Sequence, residues 1–488
     1  MGDENTILAE ADARHLLRRA GFGATTKQLN ERDLVGLTRG QAADQLLAFE
    51  PKAYRPRGRE FYIAHNKWIK KMIRWREPLQ PKLVLFWHDH FATSFSKVGD
   101  INLMGDQIRL LYLQCKGNFR DLVKAINKDA AMMEFLDTAR NRKEIPNENY
   151  ARELMELFTL GVVDQVGNPN YLQEDIVQIA RAFTGWDYDD GGVAFFRSSR
   201  HDYMADFPER GPKVVFKGAH GFPAGGASFS ANGEGAPEID TVIDILFQHK
   251  DTNGKNTVAR RTARRLLEYF AYPDPPTSVI DAVVTDSGFD STFDITALCR
   301  AIFVHDAFYE TAAPAPFGPG TKKSVKWPVD YVVSTLRLLN MRLKGKDALI
   351  QGGSFTGMLD QLTNMGQVIL DPPSVFGWSW ETGWLSSIAL QARYNFARDI
   401  VAARDSGRFR PEKVMSLQLT DPGEIVDAVT DALDVAHQIT AAERDVLIDY
   451  LTDGGLNPTL DLLDEAVRNT KLHGLFALVM QSPAYQVA

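Results

Sequence analysis

The sequence predicts a mainly α-helical protein: a large multi-helix body with a small β-containing, Gly-rich insertion. Three observations lead there. Apolar residues recur three and four apart through most of the chain, the period of a helix with one buried face. Several of these segments stop at glycine, which tolerates the left-handed turn that ends a helix. Between Asp187 and Pro237 the period is lost, and Gly, Ser, Asp and aromatics take over.

Taken in order, "ADARHLLRRAGFG" runs from a helix to a glycine stop, and "TRGQAADQLLAF" repeats the helical spacing. "FRDLVKAINKDAAMMEFLDTA", "NYARELMELFTLGV" and "QEDIVQIARAFTGW" follow with the same spacing. Asn147, after Pro146, is placed to cap the helix that begins beside it. These make up an N-terminal helical region, residues 1–186. In the insertion, 187–237, "GGVAFFR" and "PKVVFKG" read as short strands. Its length inside a helical chain marks it for function, and its Phe and Val content argues against full disorder. A central helical region, 238–400, holds "EIDTVIDILFQH", "ARRTARRLLEYFAY" and "DITALCRAIFVHDAFYE". A Pro/Gly linker "TAAPAPFGPGTKK", the helix "WPVDYVVSTLRLLN" and a Trp-rich loop complete it. Residues 401–488 return to amphipathic helices. No internal repeat and no phosphate-binding glycine loop occurs.

Composition narrows the function classes. The 488 residues carry a net charge of −8, which disfavours nucleic acid or an anionic membrane as partner. The arginines of "ARRTARRLLEYF" sit at helical spacing and read as a solvated face. No run reaches the roughly 20 apolar residues of a membrane helix. The start "MGDENTILAEADARHLLRRAGFG" has no apolar signal core, so a cytoplasmic location is the expectation, although a leader trimmed beforehand would leave the same start. "MGDENT" fits the loose myristoylation pattern, which chance or an expression start explains better. Cys115 and Cys299 are the only cysteines, which disfavours both a disulfide framework and a thiolate metal site.

Four stretches could carry chemistry. In "KLVLFWHDHFATSF", Lys82 to Phe95, His88 and His90 stand among Leu, Val, Phe and Trp. A buried imidazole needs a partner, whether a carbonyl, a carboxylate or a metal. On a straight helix the two rings point roughly 200° apart, so gripping one ion would need a strand or a helix end. In "PNENYARELMELFTLGV", a helix at about 100° per residue sets Asn149, Glu153 and Glu156 on one arc. Glu148, Arg152 and Glu156 form a ladder beside it. A solvated acidic face braced by Arg152 explains this pattern; so does a carboxylate-bearing helix offering ligands or an acid/base. "RSSRHDYMADF" adds His201 and Asp202 in the insertion. "DPPSVFGWSWETGW" adds Trp378, Trp380 and Trp384 on a rigid loop, either a stacking platform for a ligand or a hydrophobic plug. No G-x-S-x-G elbow, H-E-x-x-H or EF-hand loop is present.

Together these motifs resemble one family. "HLLRRAGFGAT", "LFWHDHFATSFSKV", "GNFRDL", "NRKEIPNENYARELMELFTLGV", "ARAFTGW", "KWPVDYVV", "LDPPSVFGW" and "ARYNFA" occur in that order, from about residue 10 to about residue 400. The order and the "PNENYARELMELFTLG" block identify the chain as a member of the bacterial family of uncharacterised proteins catalogued as domain of unknown function 1800. The resemblance brings no settled activity. It implies that the polar positions His88, His90, His201, Asp202, Glu148, Asn149, Arg152 and Glu153 belong to family signatures. The chain departs from the pattern at "KWPVDYVV", where a Ser often precedes the proline.

Signature polar residues spread over three segments suggest one shared centre. The leading expectation is a metal-dependent enzyme, possibly an oxidoreductase, or else a hydrolase. His88, His90, His201 and Glu148 would hold a divalent metal ion (Fe, Cu, Mn or Zn). Glu153, Arg152, Glu156 and Asn149 would be catalytic, Trp378 and Trp380 would bind the cofactor or ligand, and the insertion would be a lid. The substrate would be a small molecule, peptide or glycan. One alternative is a non-enzymatic glycan- or partner-binding protein with a structural polar network; another is a metal-free acid/base hydrolase or lyase using paired glutamates.

Overall fold

The helix Leu79–His90 buries all 12 of its residues. Its Leu, Val, Phe and Trp residues fall on every face, as those of an interior helix must. The surrounding elements are therefore fastened to it by whatever polar side chains it carries. Gln80 accepts from the Trp75 indole at 3.2 Å and donates to the Tyr112 carbonyl at 2.9 Å. The Lys82 ammonium meets Asp330 at 2.8 Å, which docks the helix Pro328–Leu338. The Trp87 indole donates to the Cys115 carbonyl at 2.8 Å, at the end of Ile101–Gln114.

A computed structural model of the chain describes residues 3–25, 28–29, 32–228, 235–310, 323–343, 357–402 and 409–487. Apart from Lys323, the expected Pro/Gly linker lies outside the described residues. The architecture is mainly α-helical, with two small antiparallel ribbons in the insertion. Trp186–Tyr188 pairs with Ala194–Phe196, and Val214–Val215 with Ala227–Ser228. The strand-like runs read from the sequence form one arm of each ribbon.

Side-chain caps set the helix starts, as the sequence chemistry requires. Thr38 and Gln41 form a capping box on Arg39–Leu47. Asn118, Asp129, Asn256 and Asp294 each accept backbone N–H groups at a helix N-terminus. The helix Thr257–Phe270 ends under Arg19, which donates to the Phe270 carbonyl at 2.7 Å and the Tyr269 carbonyl at 2.9 Å. The C-terminal helices close back onto the body. His473–Gln481 packs along Ser387–Ala402, and buried Arg393 donates to the Lys326 carbonyl at 2.7 Å. Cys115 and Cys299 are buried free thiols, and no described helix is long and apolar enough to cross a membrane.

The buried Lys82–Asp330 pair yields a stability prediction. Asp330→Asn leaves an ammonium enclosed without a counter-charge and lowers unfolding free energy by about 3–5 kcal/mol, whereas Lys82→Met with Asp330→Leu recovers most of that loss. Denaturant unfolding of the three proteins measures it.

Candidate functional site

The C-terminal end of Leu79–His90 presents His88, Asp89 and His90 in three directions. His88 accepts the Leu370 backbone N–H on Nε2 at 2.9 Å. Its proton is therefore on Nδ1, which is enclosed without a hydrogen-bond partner among the described residues. The ring lies between Trp68 and Trp378. His90 points away and donates from Nε2 to the Phe158 carbonyl at 3.1 Å. Burial pushes both imidazoles down to about 3; Arg265 and Arg261 push His90 further the same way.

Asp89, between them, straps down the Trp-rich loop. Its carboxylate accepts from the Trp378 backbone N–H at 2.9 Å, the Trp380 indole at 3.0 Å and Arg265 at 3.2 Å. Gly377, at φ +79°, lets the loop lie this close, since a Cβ there would stand 2.8 Å from the Asp89 carbonyl oxygen. Burial raises the Asp89 carboxyl to about 6 against the pull of Arg265 and the two N–H donors. The next residues continue the clasp. Ser94 and Ser96 both bond Asp371, and Phe95 N–H donates to the Leu370 carbonyl at 2.9 Å. "HDHFATSFS" and "LDPPSVFGW" are thus the two halves of one polar seam.

The block "PNENYARELMELFTLG" forms the next wall. Its N-cap residue is Glu148, which makes no side-chain cap bond, and Asn147 just before it accepts the Asn149 N–H at 2.9 Å. The expected continuous α-helix runs only over Asn149–Glu153 and then widens to a π-helix, Leu154–Thr159. The Leu160 N–H reaches back five residues to the Met155 carbonyl at 2.9 Å, and the Thr159 hydroxyl to the Leu154 carbonyl at 2.6 Å. Such π turns recur at functional sites. Glu153 sits at the junction, half-buried, with Oε2 enclosed and unpartnered among the described residues. Burial first, and the neighbouring Glu156 second, raise its carboxyl, with Arg152 opposing. Glu156 accepts from the Tyr171 hydroxyl at 3.3 Å.

The third wall is the arginine helix Thr257–Phe270. Arg264 is solvated as expected, but the other arginines of the helix are turned to buried or partly buried partners. Arg260 is buried against Asp251 and Asp281. Arg261 donates to the Leu157 carbonyl at 3.2 Å. Arg265 bonds Asp89 and lies over the Trp380 ring at 4.1 Å. Arg261, Arg265 and Tyr171 are site residues that motif reading missed. The signal was present: Arg260/Arg264 and Arg261/Arg265 form two adjacent i, i+4 stripes, too broad to lie wholly outside on a helix whose Ala259, Ala263, Leu266 and Leu267 are buried.

Other expected members lie elsewhere. Nδ1 of His201 donates to the Thr184 carbonyl at 2.8 Å, and its Nε2 receives Lys213 at 3.0 Å. Lys213 also meets Glu238 at 2.6 Å, while Asp202 pairs with Arg181 and Arg210. This buried cluster fastens the insertion to its neighbouring helices, and none of its hydrogen bonds reaches His88 or His90. Glu148 pairs with Arg152 at 3.1 Å and accepts Gln173 at 2.7 Å on a partly exposed face. Asn149 is exposed, with its amide 3.5 Å from Asp137. Arg152 is therefore a surface brace. Trp378 and Trp384 are buried, and Trp380 is covered by Arg265 and the rings of Tyr269 and Trp327.

The residues expected to share a metal ion do not come together. His88, His90, His201 and Glu148 are each engaged by separate partners. Among the described residues, no group of three or more His, Cys, Asp or Glu is placed to hold a metal ion. What does converge is the double-histidine helix, the π turn, the arginine helix and the Trp-rich loop.

A family model described as "Protein of unknown function (DUF1800)" matches residues 15–487. No curated protein and no solved structure matches the chain.

His88 yields a pH prediction. The folded chain holds the ring neutral down to about pH 3, whereas the unfolded chain protonates it near pH 6.5. Its contribution is therefore complete above pH 6.5 and is lost as pH falls toward 3. His88→Gln keeps an acceptor for Leu370 and removes that proton. The slope of stability against pH between 4 and 6 becomes shallower by about 1.4 kcal/mol per unit. Asp89 acts with the opposite sign in this window but is common to both proteins. Urea unfolding across pH measures the difference, and equal slopes would refute the buried neutral ring.

Proposed function

The chain belongs to the DUF1800 family, whose description carries no activity, and we propose that it is a metal-free acid/base enzyme, a hydrolase or lyase, working through Glu153 and Glu156. One observation carries this reading: the enclosed, unpartnered Oε2 of Glu153 at the α-to-π junction, three residues before a second carboxyl. A carboxyl that burial and a like neighbour hold protonated above its usual range is suited to donate a proton to a leaving oxygen. Glu156, steadied by Tyr171, supplies the neighbouring negative charge. Arg261 and Arg265 bring positive charge to the same wall without a metal ion. Asp89, His88 and His90 act as positioning residues, holding the loop and the π turn in register.

A metal centre built on His88, His90 and His201 would need those imidazoles to meet, and their partners hold them apart. The non-enzymatic reading draws support from Asp89, whose carboxylate is held by the Trp378 N–H, the Trp380 indole and Arg265, a polar clasp of the structural kind. It leaves the orphaned oxygen of Glu153 without an explanation.

Two measurements test the proposal. In carboxyl-resolved NMR, Glu153 titrates above the ordinary glutamate range and moves back toward it in Glu156→Gln. In excess chelator, the protein is assayed on glycosides, esters and uronate-containing polysaccharides. Glu153→Gln lowers turnover by about 10²–10⁴-fold with an unchanged melting temperature. An ordinary Glu153 titration, full activity in Glu153→Gln, or activity that chelator removes and metal restores would overturn it.

A further inference from the structure

Beyond the π turn lies a second polar recess. A cavity of about 240 Å³ opens between the end of that turn and the arginine helix, lined by Leu160, Gln165, Thr257, Arg260, Arg261 and Arg264 among others. Its charges are not equally matched. Arg260 is met by Asp251 and Asp281, and Arg264 by Glu268 at 2.9 Å and Asp274 at 2.7 Å. Arg261 forms no ion pair with any described carboxylate. Its one hydrogen bond to a described residue goes to the Leu157 carbonyl, and its Nε is enclosed without a partner. Glu268 and Glu156 act on this partly buried guanidinium only at a distance, and an enclosed N–H without an acceptor is costly.

Gln165 adds an independent observation. Both its amide oxygen and its amide nitrogen are enclosed and unpartnered among the described residues, although it lines the same cavity. Asp164 and Asp251 also line it. Asp164 is occupied by its own turn, accepting Val166 N–H and Asn168 N–H at 2.9 Å each; Asp251 is occupied by Arg260 and by the Asn253 and Lys255 N–H groups. Gly161, at φ +84°, makes room for the guanidinium, since a Cβ there would stand 2.8 Å from Arg261 Nη1.

We propose that this cavity is a binding site for a small oxyanion bearing a hydroxyl, a hydrogen-phosphate group above all. Arg261 and the Gln165 amide nitrogen donate to its oxygens, and the Gln165 carbonyl accepts its P–OH. This satisfies the cation and both orphaned amide atoms at once. The volume admits more than the anion alone, so a phosphorylated small molecule and free phosphate share the recognition. Arg261 is shared with the acid/base wall, but occupancy needs no turnover and Gln165 belongs to this site alone, so phosphate binding and its loss in Gln165→Leu are read separately from activity.

The test titrates the full chain with inorganic phosphate and with sulfate at low ionic strength, by calorimetry. Phosphate binds saturably and more tightly than sulfate, which offers no hydroxyl at neutral pH. Arg261→Gln and Gln165→Leu each weaken phosphate about 10- to 100-fold, and Gln165→Leu also erases the preference over sulfate. Arg261 steadies Leu157, so its variant could fail to fold. Gln165 has no hydrogen-bond partner to lose among the described residues, and its variant tests the site on its own. Absence of saturable phosphate binding, or wild-type affinity in folded Gln165→Leu, overturns the proposal.

Discussion

A helix buried on every face, Leu79–His90, governs this protein. Its apolar residues are satisfied by being enclosed, but Gln80, Lys82, Trp87, His88, Asp89 and His90 are not. Each must be met by a group from another element, because an enclosed polar atom left alone costs about 1–3 kcal/mol and an enclosed charge more. The partners come from Tyr112, Asp330, Cys115, Leu370, Trp378 and Phe158, spread over most of the chain. One helix thereby specifies where several others lie.

The candidate site is a consequence of that arrangement. His90 fixes the carbonyl of Phe158 and so holds the π turn; Asp89 fixes Arg265 and the Trp-rich loop; Arg261 fixes the carbonyl of Leu157. The motifs that stand out by composition, the histidines and tryptophans, are mostly the clamps. Groups left chemically open include quieter ones in the sequence: one oxygen of Glu153, the Nε of Arg261 and the amide of Gln165, beside the Nδ1 of His88.

The helical body, the ribbon strands near residues 195 and 215 and the divergence of His88 from His90 were all legible, because each rests on local periodicity or local hydrogen bonding. The π turn was not. Residues 149–159 carry an ordinary helical pattern, and the carbonyls of Leu157 and Phe158 in the widened turn are met by Arg261 and His90 from distant parts of the chain. Nor was the role of the arginines legible, since a basic helix reads the same whether its charges meet water or buried carboxylates. His201 misled for a related reason: a histidine in a polar loop looks available, whereas here Lys213, Glu238 and Thr184 enclose it.

The sequence by itself determined the mainly helical class, the break between residues 187 and 237, family membership and which polar residues sit in apolar surroundings. These follow from the spacing of neighbours along the chain. Only the tertiary structure decided which of those polar residues would be consumed as fasteners and which would be left facing a cavity. Partnership between side chains tens or hundreds of residues apart depends on how the helices cross, and the periodicity of one helix carries no information about the face it meets.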